Sequence, residues 1–166
     1  MSRQERLVVV CGLPGAGKTT VSREIAERID AELLRTDVVR EDVVPDPDYT
    51  PEETRRVYDE LLDRAAAGVD ERGVVVLDGT FRRKRLRAAA REVAADVGAT
   101  FELVKVECSA EVVRERIAAR EGDESDADFA VHELLAEEFE AVGTPDLRVD
   151  NSGDLPRTRE QVAAHY

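Results

Sequence analysis

Long apolar runs are missing from this 166-residue sequence, and their absence limits where the protein can reside. The longest runs, such as 7–11 and 73–77, are far too short to cross a bilayer. The first residues, MSRQER, are charged and contain no apolar core of a signal peptide. We therefore expect a cytoplasmic protein with no membrane partner.

Cysteine and lysine are also scarce. The two cysteines, Cys11 and Cys108, each end an apolar run, which predicts buried, reduced thiols rather than disulfides or a metal site. Only three of the 24 basic residues are lysines, and the net charge is −13. This acidic excess is typical of salt-adapted proteins, and it argues against an extended nucleic-acid surface because Lys and Arg make most phosphate contacts.

One dense basic run stands against that acidic background, FRRKRLRAAAR at 81–91. Its simplest interpretation is a solvated helix face. The alternative is a local anion patch beside an acceptor site, which leaves a nucleic-acid end open as a substrate.

The 42% hydrophobic content and the length indicate one globular domain over residues 1–166. Strand-like runs at 6–11, 32–35, 73–77, 101–107 and 146–150 alternate with helical patterns at 18–30, 52–70, 83–97, 110–121, 127–141 and 157–165. This alternation predicts βαβ units and a parallel sheet. The polar stretch 120–128 predicts a mobile loop, and the three prolines of 43–51 predict a second irregular segment.

The stretch CGLPGAGKTT (11–20) lies between a strand-like run and a helical pattern. The phosphate-loop pattern G-x-x-x-x-G-K-[ST] is matched by Gly12, Gly17, Lys18 and Thr19. Glycines let backbone N–H groups turn toward phosphate oxygens, Lys18 would bridge the β- and γ-phosphates, and the Thr19 hydroxyl would ligate Mg²⁺. We expect ATP to bind at Gly12, Leu13, Pro14, Gly15, Ala16, Gly17, Lys18, Thr19 and Thr20.

The main alternative for this stretch is a dinucleotide-binding fold, since an acidic residue, Asp37, follows at about the right distance. The glycine order here, however, is G-x-x-G-x-G followed by Lys-Thr, not G-x-G-x-x-G. The order favours the phosphate loop.

Two acidic residues follow predicted strands at the edge where parallel sheets bind ligands. Asp37 is placed to accept the proton of a hydroxyl acceptor, whereas a phosphate acceptor would need arginine clamps and no base. A helix N-cap is the alternative role for Asp37. Asp78 ends the run GVVVLD, as expected of a carboxylate near Mg²⁺. Whether Asp78 meets the metal directly, through water, or touches the acceptor instead stays open.

Arg116 and Arg120 lie four residues apart on one face of the predicted helix 110–121. Guanidinium groups stabilise charge on a transferring phosphoryl group, and the adjoining loop would let these arginines close over ATP as a lid. The alternative is a solvated, ion-paired face with the neighbouring glutamates. Neither histidine, His132 or His165, is assigned a role.

Five stretches in order resemble a known family: GLPGAGKTT, TDVVR, VVVLDGTF, RERIAAR and SDAD. They resemble the short P-loop kinases of the predicted-kinase (AAA-type ATP-binding) group, relatives of polynucleotide kinase, gluconate kinase, chloramphenicol phosphotransferase and the zeta toxins. The resemblance covers about residues 6–152. It implies an α/β P-loop NTPase fold, with a five-stranded parallel sheet of order 2-3-1-4-5 between helices and a helical lid.

The same resemblance implies roles for individual residues. It makes Asp37 the acceptor-activating carboxylate, Arg40 an acceptor or phosphate ligand, and Arg116 or Arg120 a lid arginine. Arg87 lies where relatives often carry an arginine after the Asp-x-Thr turn, which implies a substrate-binding residue. The segment with Ser125, Asp126 and Asp128 matches a recurrent element of unassigned role.

These observations predict an ATP- and Mg²⁺-dependent phosphotransferase, monomeric or weakly dimeric, that acts on a hydroxyl of a small molecule or a nucleic-acid end. Two alternatives stay open. One is a regulatory nucleotide-binding or ATPase module without an acceptor, and the other is a zeta-toxin-like nucleotide-sugar kinase.

Overall fold

Five parallel strands form one sheet in the computed structural model, which describes residues 4–48, 50–121 and 125–166, with only the backbone at 120, 121 and 125–128. The strands are β1 (Arg6–Cys11), β2 (Glu32–Arg35), β3 (Val74–Asp78), β4 (Thr100–Glu107) and β5 (Leu147–Asp150). Their order across the sheet is β2-β3-β1-β4-β5, and all neighbouring pairs are parallel. The predicted order 2-3-1-4-5 is confirmed.

Helices connect the strands. In the described part of the chain they are α1 (Lys18–Ile29), α2 (Thr36–Val43), α3 (Pro51–Arg72), α4 (Lys84–Asp96), α5 (Ala110–Glu121), α6 (Ser125–Glu138) and α7 (Leu155–His165). None of the helices in these residues is both long enough and apolar enough to cross a bilayer.

Helix α2 was not predicted. It follows β2 without a linker, buries only Val39, and its first turn contains β-branched Thr36 and Val38, which have low helix propensity. The prediction of a loop over 120–128 was wrong at both ends, because α5 continues to Glu121 and α6 begins at Ser125. The intervening residues 122–124 lie outside the described residues.

The position of β1 at the centre of the sheet explains why its residues Leu7–Cys11 form a continuous apolar run. These residues are fully buried, with one set of side chains packed beside α3 and α4 and the other beside α1 and α7. A strand covered on both faces needs apolar residues at every position. Cys11 is a free, buried thiol as predicted, whereas Cys108, also free, is partly exposed.

Local signals determine where several helices begin. At α3 the Thr50 side chain accepts from the Glu53 backbone N–H and Glu53 reciprocates, a capping box that stabilises the first turn. Ser109 caps α5, because its hydroxyl accepts from the Val112 N–H at 3.3 Å. These caps fix the first turns of α3 and α5, and the parallel pairing of the strands places their carboxyl ends at one edge of the sheet.

Candidate active site

A cavity of about 760 Å³ opens at the carboxyl edge of the sheet. This edge, where β3 and β4 flank β1 and the chain crosses to opposite faces, is the place where parallel sheets bind ligands. The cavity is lined by Pro14, Gly15, Gly17, Lys18, Thr19, Thr20, Thr36, Asp37, Asp78, Thr80, Arg116, Ala119, Asn151, Gly153 and Leu155.

In the loop between β1 and α1, Gly12 and Gly17 cannot be replaced without strain, because each has a positive φ and no room for a Cβ atom. Gly12 has φ +155°, and a Cβ there would lie 2.6 Å from the Val106 carbonyl oxygen. Gly17 has φ +88°, and a Cβ there would lie 1.9 Å from Asn151 Nδ2. No side chain caps the first turn of α1 among the described residues. The helix therefore presents free N–H groups and its positive end to an anion in the cavity.

Lys18 is the first residue of α1, and its side chain folds back over the loop. Its Nζ donates to the Leu13 carbonyl oxygen at 3.2 Å. Burial lowers the pKa of Lys18 below its ordinary value, although the nearby charges of Asp78 and Asp37 oppose that shift. A partly desolvated ammonium at this place gains from a phosphate anion in the cavity.

Asp78 lies beside Lys18 at the end of β3 and is only 5% exposed. Burial raises the pKa of Asp78, and Lys18, a hydrogen bond with Thr19 and the charge of Arg35 act in the opposite direction. Its Oδ2 is buried and has no hydrogen-bond partner among the described residues.

The carboxylate of Asp78 and the hydroxyl of Thr19 fit a magnesium site. Both line the cavity and lie close together, and carboxylate and hydroxyl oxygens are the hard ligands that Mg²⁺ prefers. The Oδ2 atom, which makes no hydrogen bond among the described residues, has lone pairs with which it could bind such an ion.

Asp37 lines the same cavity, in the first turn of α2. Its side chain is 83% exposed, and its Oδ2 lies 3.6 Å from Arg35 Nη2. The alternative role of Asp37 as an N-cap does not hold, because Arg35 occupies the N-cap position.

Arg40, one turn later on α2, does not line the cavity. Its positive charge acts on Tyr58 instead: burial raises the pKa of Tyr58 to about 12, and the charge of Arg40 opposes this rise.

Arg116 reaches the cavity from α5 and is anchored to the end of β5. Its Nη2 donates to the Asn151 carbonyl oxygen at 2.8 Å, and its Nη1 lies 3.5 Å from Cys108 Sγ. A Cβ at Gly17 would be 4.0 Å from Nη1, so the guanidinium lies beside the phosphate loop. This placement is compatible with the predicted contact to a transferring phosphate. The side chain of Arg120 and those of Ser125, Asp126 and Asp128 lie outside the described residues.

Asn151 is a site residue that sequence reasoning missed. Its Nδ2 donates to the Ala16 carbonyl oxygen at 2.8 Å, and its Oδ1 accepts from Thr158 Oγ1 at 2.6 Å. This buried amide joins the phosphate loop to β5 and α7. One signal could have found it, namely a polar residue directly after a strand at the ligand-binding edge.

His132, to which the sequence assigned no role, also touches the phosphate loop. Its Nδ1 lies 3.3 Å from the Pro14 carbonyl oxygen and donates there in the tautomer protonated at Nδ1. The ring is buried and stacks on Phe129 with centroids 5.8 Å apart. Helix α6 therefore contacts the loop directly, as a helical lid over the site would.

Arg87 lies outside the cavity lining, in a buried position on α4. Its Nη1 donates to the Phe81 carbonyl oxygen at 3.0 Å, and its Nη2 donates to those of Glu140 and Ala141 at 2.9 and 3.1 Å. These bonds tie the start of α4 to the segment after α6. A substrate-binding role for Arg87 stays a prediction.

The basic run 81–91 is engaged with other parts of the protein. Arg82 Nη1 pairs with Glu138 Oε2 at 2.9 Å, and the Arg91 guanidinium lies 4.6 Å from the centre of the Phe101 ring. These contacts engage Arg82, which precedes α4, and Arg91 with neighbouring side chains, so the run is not simply the solvated helix face that its sequence suggested.

A family model described as an AAA domain matches residues 7–142 of the chain. Uncharacterized proteins of Mycobacterium tuberculosis and Mycobacterium bovis are 34% identical to this chain over 175 aligned residues. The alignment covers 97% of this chain but 34% of those proteins. The chain thus spans about a third of the length of these relatives.

Several solved structures share the fold. The Mycobacterium tuberculosis APS kinase, in complex with AMPPNP and APS, has a TM-score of 0.76 at 21% identity and covers 99% of this chain and 98% of its own. A gluconokinase from Sinorhizobium meliloti has a TM-score of 0.75 at 22% identity, and the match covers 99% of this chain and 93% of the gluconokinase. A putative kinase from Chloroflexus aurantiacus has a TM-score of 0.72 at 24% identity, and the match covers 99% of this chain and 97% of that kinase. The described structure therefore has a P-loop kinase fold.

Proposed function

The chain belongs to the AAA domain family, and on that premise we propose that it is an ATP- and Mg²⁺-dependent phosphotransferase acting on a hydroxyl group. The acceptor is a small molecule or the 5′-hydroxyl end of a nucleic acid. ATP occupies the phosphate-loop side of the cavity, and the acceptor occupies the part of the cavity lined by Asp37.

A single observation carries this proposal, namely that one cavity holds two carboxylates in opposite environments. Asp78 is 5% exposed beside Lys18 and Thr19, whereas the Asp37 side chain in the lining of the same cavity is 83% exposed. A buried carboxylate beside a hydroxyl suits a metal, and an exposed carboxylate suits an incoming acceptor whose proton must leave. The exposed Asp37 carboxylate therefore supports transfer to a hydroxyl acceptor.

Different residues of the cavity bind the phosphates, hold the metal and activate the acceptor in the proposed reaction. The loop N–H groups and the positive end of α1 hold the phosphates, while Lys18 neutralises charge between the β- and γ-phosphates. Thr19 and Asp78 would hold Mg²⁺, which when bound neutralises charge on the phosphate oxygens. Asp37 orients the acceptor hydroxyl and takes its proton, and Arg116, beside the loop, stabilises charge on the transferring group.

Transfer of labelled phosphate tests the proposal. The purified chain is incubated with γ-labelled ATP, Mg²⁺ and panels of sugars, nucleosides, nucleotide sugars and 5′-hydroxyl oligonucleotides, with Lys18→Ala as the matched control. We expect label on one class of acceptor, and none with Lys18→Ala.

Each other outcome identifies an alternative. Label on a nucleotide sugar would favour a zeta-toxin-like activity. Hydrolysis at the same rate with and without every acceptor would favour the regulatory ATPase and contradict the phosphotransferase.

A further inference from the structure

Arg35 is a charged residue of the site to which the proposed function assigns no role. It is the last residue of β2 and the N-cap residue of α2, and its register partner on β3 is Asp78. The pairing of two neighbouring parallel strands therefore brings this guanidinium to the buried carboxylate. Its side chain is partly buried between the phosphate loop and α2.

The guanidinium lies among three oxygen groups of the site. Arg35 Nη2 donates to Thr19 Oγ1 at 3.4 Å and lies 3.6 Å from Asp37 Oδ2, and Nε lies 3.7 Å from Asp78 Oδ2. The two carboxylate distances exceed the normal hydrogen-bond range. Arg35 Nε and Asp78 Oδ2 are both buried without a hydrogen-bond partner among the described residues. The arginine thus compensates charge without satisfying the hydrogen bonds of its neighbours.

Two of these groups are the oxygens that would bind the metal. Mg²⁺ needs its ligands at about 2.0–2.1 Å in near-octahedral geometry. A guanidinium that touches Thr19 and faces Asp78 occupies the approach to those same oxygens. It also repels a divalent cation at short range. The guanidinium and the metal therefore compete for one pair of ligands.

We propose that Arg35 is a built-in counter-cation that holds the metal-binding oxygens of Thr19 and Asp78 until Mg²⁺ with nucleotide displaces it. Once displaced, Arg35 keeps its contact with Asp37 alone. Arg35 is then a positioning residue, since metal binding frees it to orient the carboxylate that meets the acceptor. This inference rests on the metal site of the proposed function.

Binding of Mn²⁺ to the nucleotide-free chain, followed by electron paramagnetic resonance, tests the competition. Arg35→Met removes the charge and keeps the length, Arg35→Lys keeps a charge, and Arg28→Met removes an arginine that pairs with Glu24 elsewhere on α1. Loss of a unit charge about 4 Å from a divalent ion should tighten Mn²⁺ binding about tenfold or more with Arg35→Met. Arg35→Lys and Arg28→Met should stay within about threefold of the unmodified chain. Arg35→Met binding that is unchanged or weaker would overturn the proposal.

A second measurement needs no neutral variant, in case Arg35→Met fails to fold. The Nε–H signal of Arg35 in ¹⁵N nuclear magnetic resonance spectra can be identified by its absence in Arg35→Lys. It should shift when Mg²⁺ is added to the ADP-bound chain, and a signal that stays in place would overturn the proposal.

Two further variants separate this inference from the metal site on which it rests. Thr19→Val and Asp78→Asn should each abolish Mn²⁺ binding. If neither does, the metal site of the proposed function is wrong. If both do and Arg35→Met still binds as the unmodified chain, only the role of Arg35 is wrong.

Discussion

The side-chain amide of Asn151 donates to the carbonyl oxygen of Ala16 at 2.8 Å and so ties the phosphate loop to the end of β5. The same amide accepts from Thr158 Oγ1 and is buried. The shape of a loop that only glycine can form is thus supported by a residue 135 positions away.

Asn151→Ala should destabilise the protein and loosen the loop. The change leaves the Ala16 carbonyl and the Thr158 hydroxyl without this partner, at a cost of about 1–3 kcal/mol in the free energy of unfolding. We also expect ADP to bind at least several-fold more weakly. Denaturant unfolding and calorimetric ADP titration measure the two effects. Arg159→Ala, which removes an exposed charge from α7, is the control, and an equal effect from both variants would contradict this role for Asn151.

Gly17→Ala and Gly73→Ala form a matched pair. Both residues have φ near +85°, so both substitutions should cost about 1–2 kcal/mol of backbone strain. A Cβ at Gly17 would meet Asn151 Nδ2 at 1.9 Å, whereas one at Gly73 meets nothing within 4 Å. We therefore expect Gly17→Ala alone to lose ADP binding. Similar binding by both variants would mean that the loop adjusts around the methyl group.

Asp37→Asn should lower the rate of phosphoryl transfer by about 10² to 10⁴, the usual contribution of a general base. ATP affinity should stay within a few-fold, because Lys18, Thr19 and the loop N–H groups hold the triphosphate. Steady-state transfer to the acceptor found in the screen measures both. Near-normal transfer would end this role for Asp37.

Asp78→Asn should stabilise the nucleotide-free protein at neutral pH and raise the Mg²⁺ requirement of transfer. Because burial raises the pKa of Asp78 in the folded state, ionisation of this carboxyl opposes folding. That penalty is complete above the folded pKa, shrinks as the pH falls through it, and is absent below the ordinary value of 3.8. Unfolding at pH 7 and near pH 3 should thus show a gain that disappears in acid. Asp37→Asn, at an exposed carboxyl, should change stability by less than about 0.5 kcal/mol at either pH.

Helix α6 should respond to nucleotide through its contact with the loop. We expect hydrogen exchange in α5, α6 and the segment 121–128 to slow when ADP or an ATP analogue binds, because closure over the site excludes water. His132→Ala removes the contact with Pro14 and should reduce this slowing, whereas His165→Ala, far along α7, should not. Exchange that is unaffected by nucleotide would contradict the lid.

The phosphate loop could be predicted from the sequence because its chemistry is local. The glycines, the lysine and the threonine act within one turn of chain, so their spacing carries the geometry. The same holds for the cap at Ser109 and for residues Leu7–Cys11 of β1, whose apolar composition already indicates burial on both faces. The sheet order came from the resemblance of five ordered motifs, and the structure confirms it.

Long-range contacts decided the rest of the site. Arg35 meets Asp78 because β2 pairs with β3, His132 meets Pro14 across 118 positions, and Asn151 reaches Ala16 through the pairing of β5 with β4. Strand pairing brings Arg35 and Asn151 into the site, and the packing of α6 on the loop brings His132 there. The amino-acid sequence by itself determined the glycine-rich loop between β1 and α1, because the positive φ angles of that loop depend on the residues at those positions. Tertiary structure decided which charges surround the loop, because only packing places distant side chains within a few ångströms of each other.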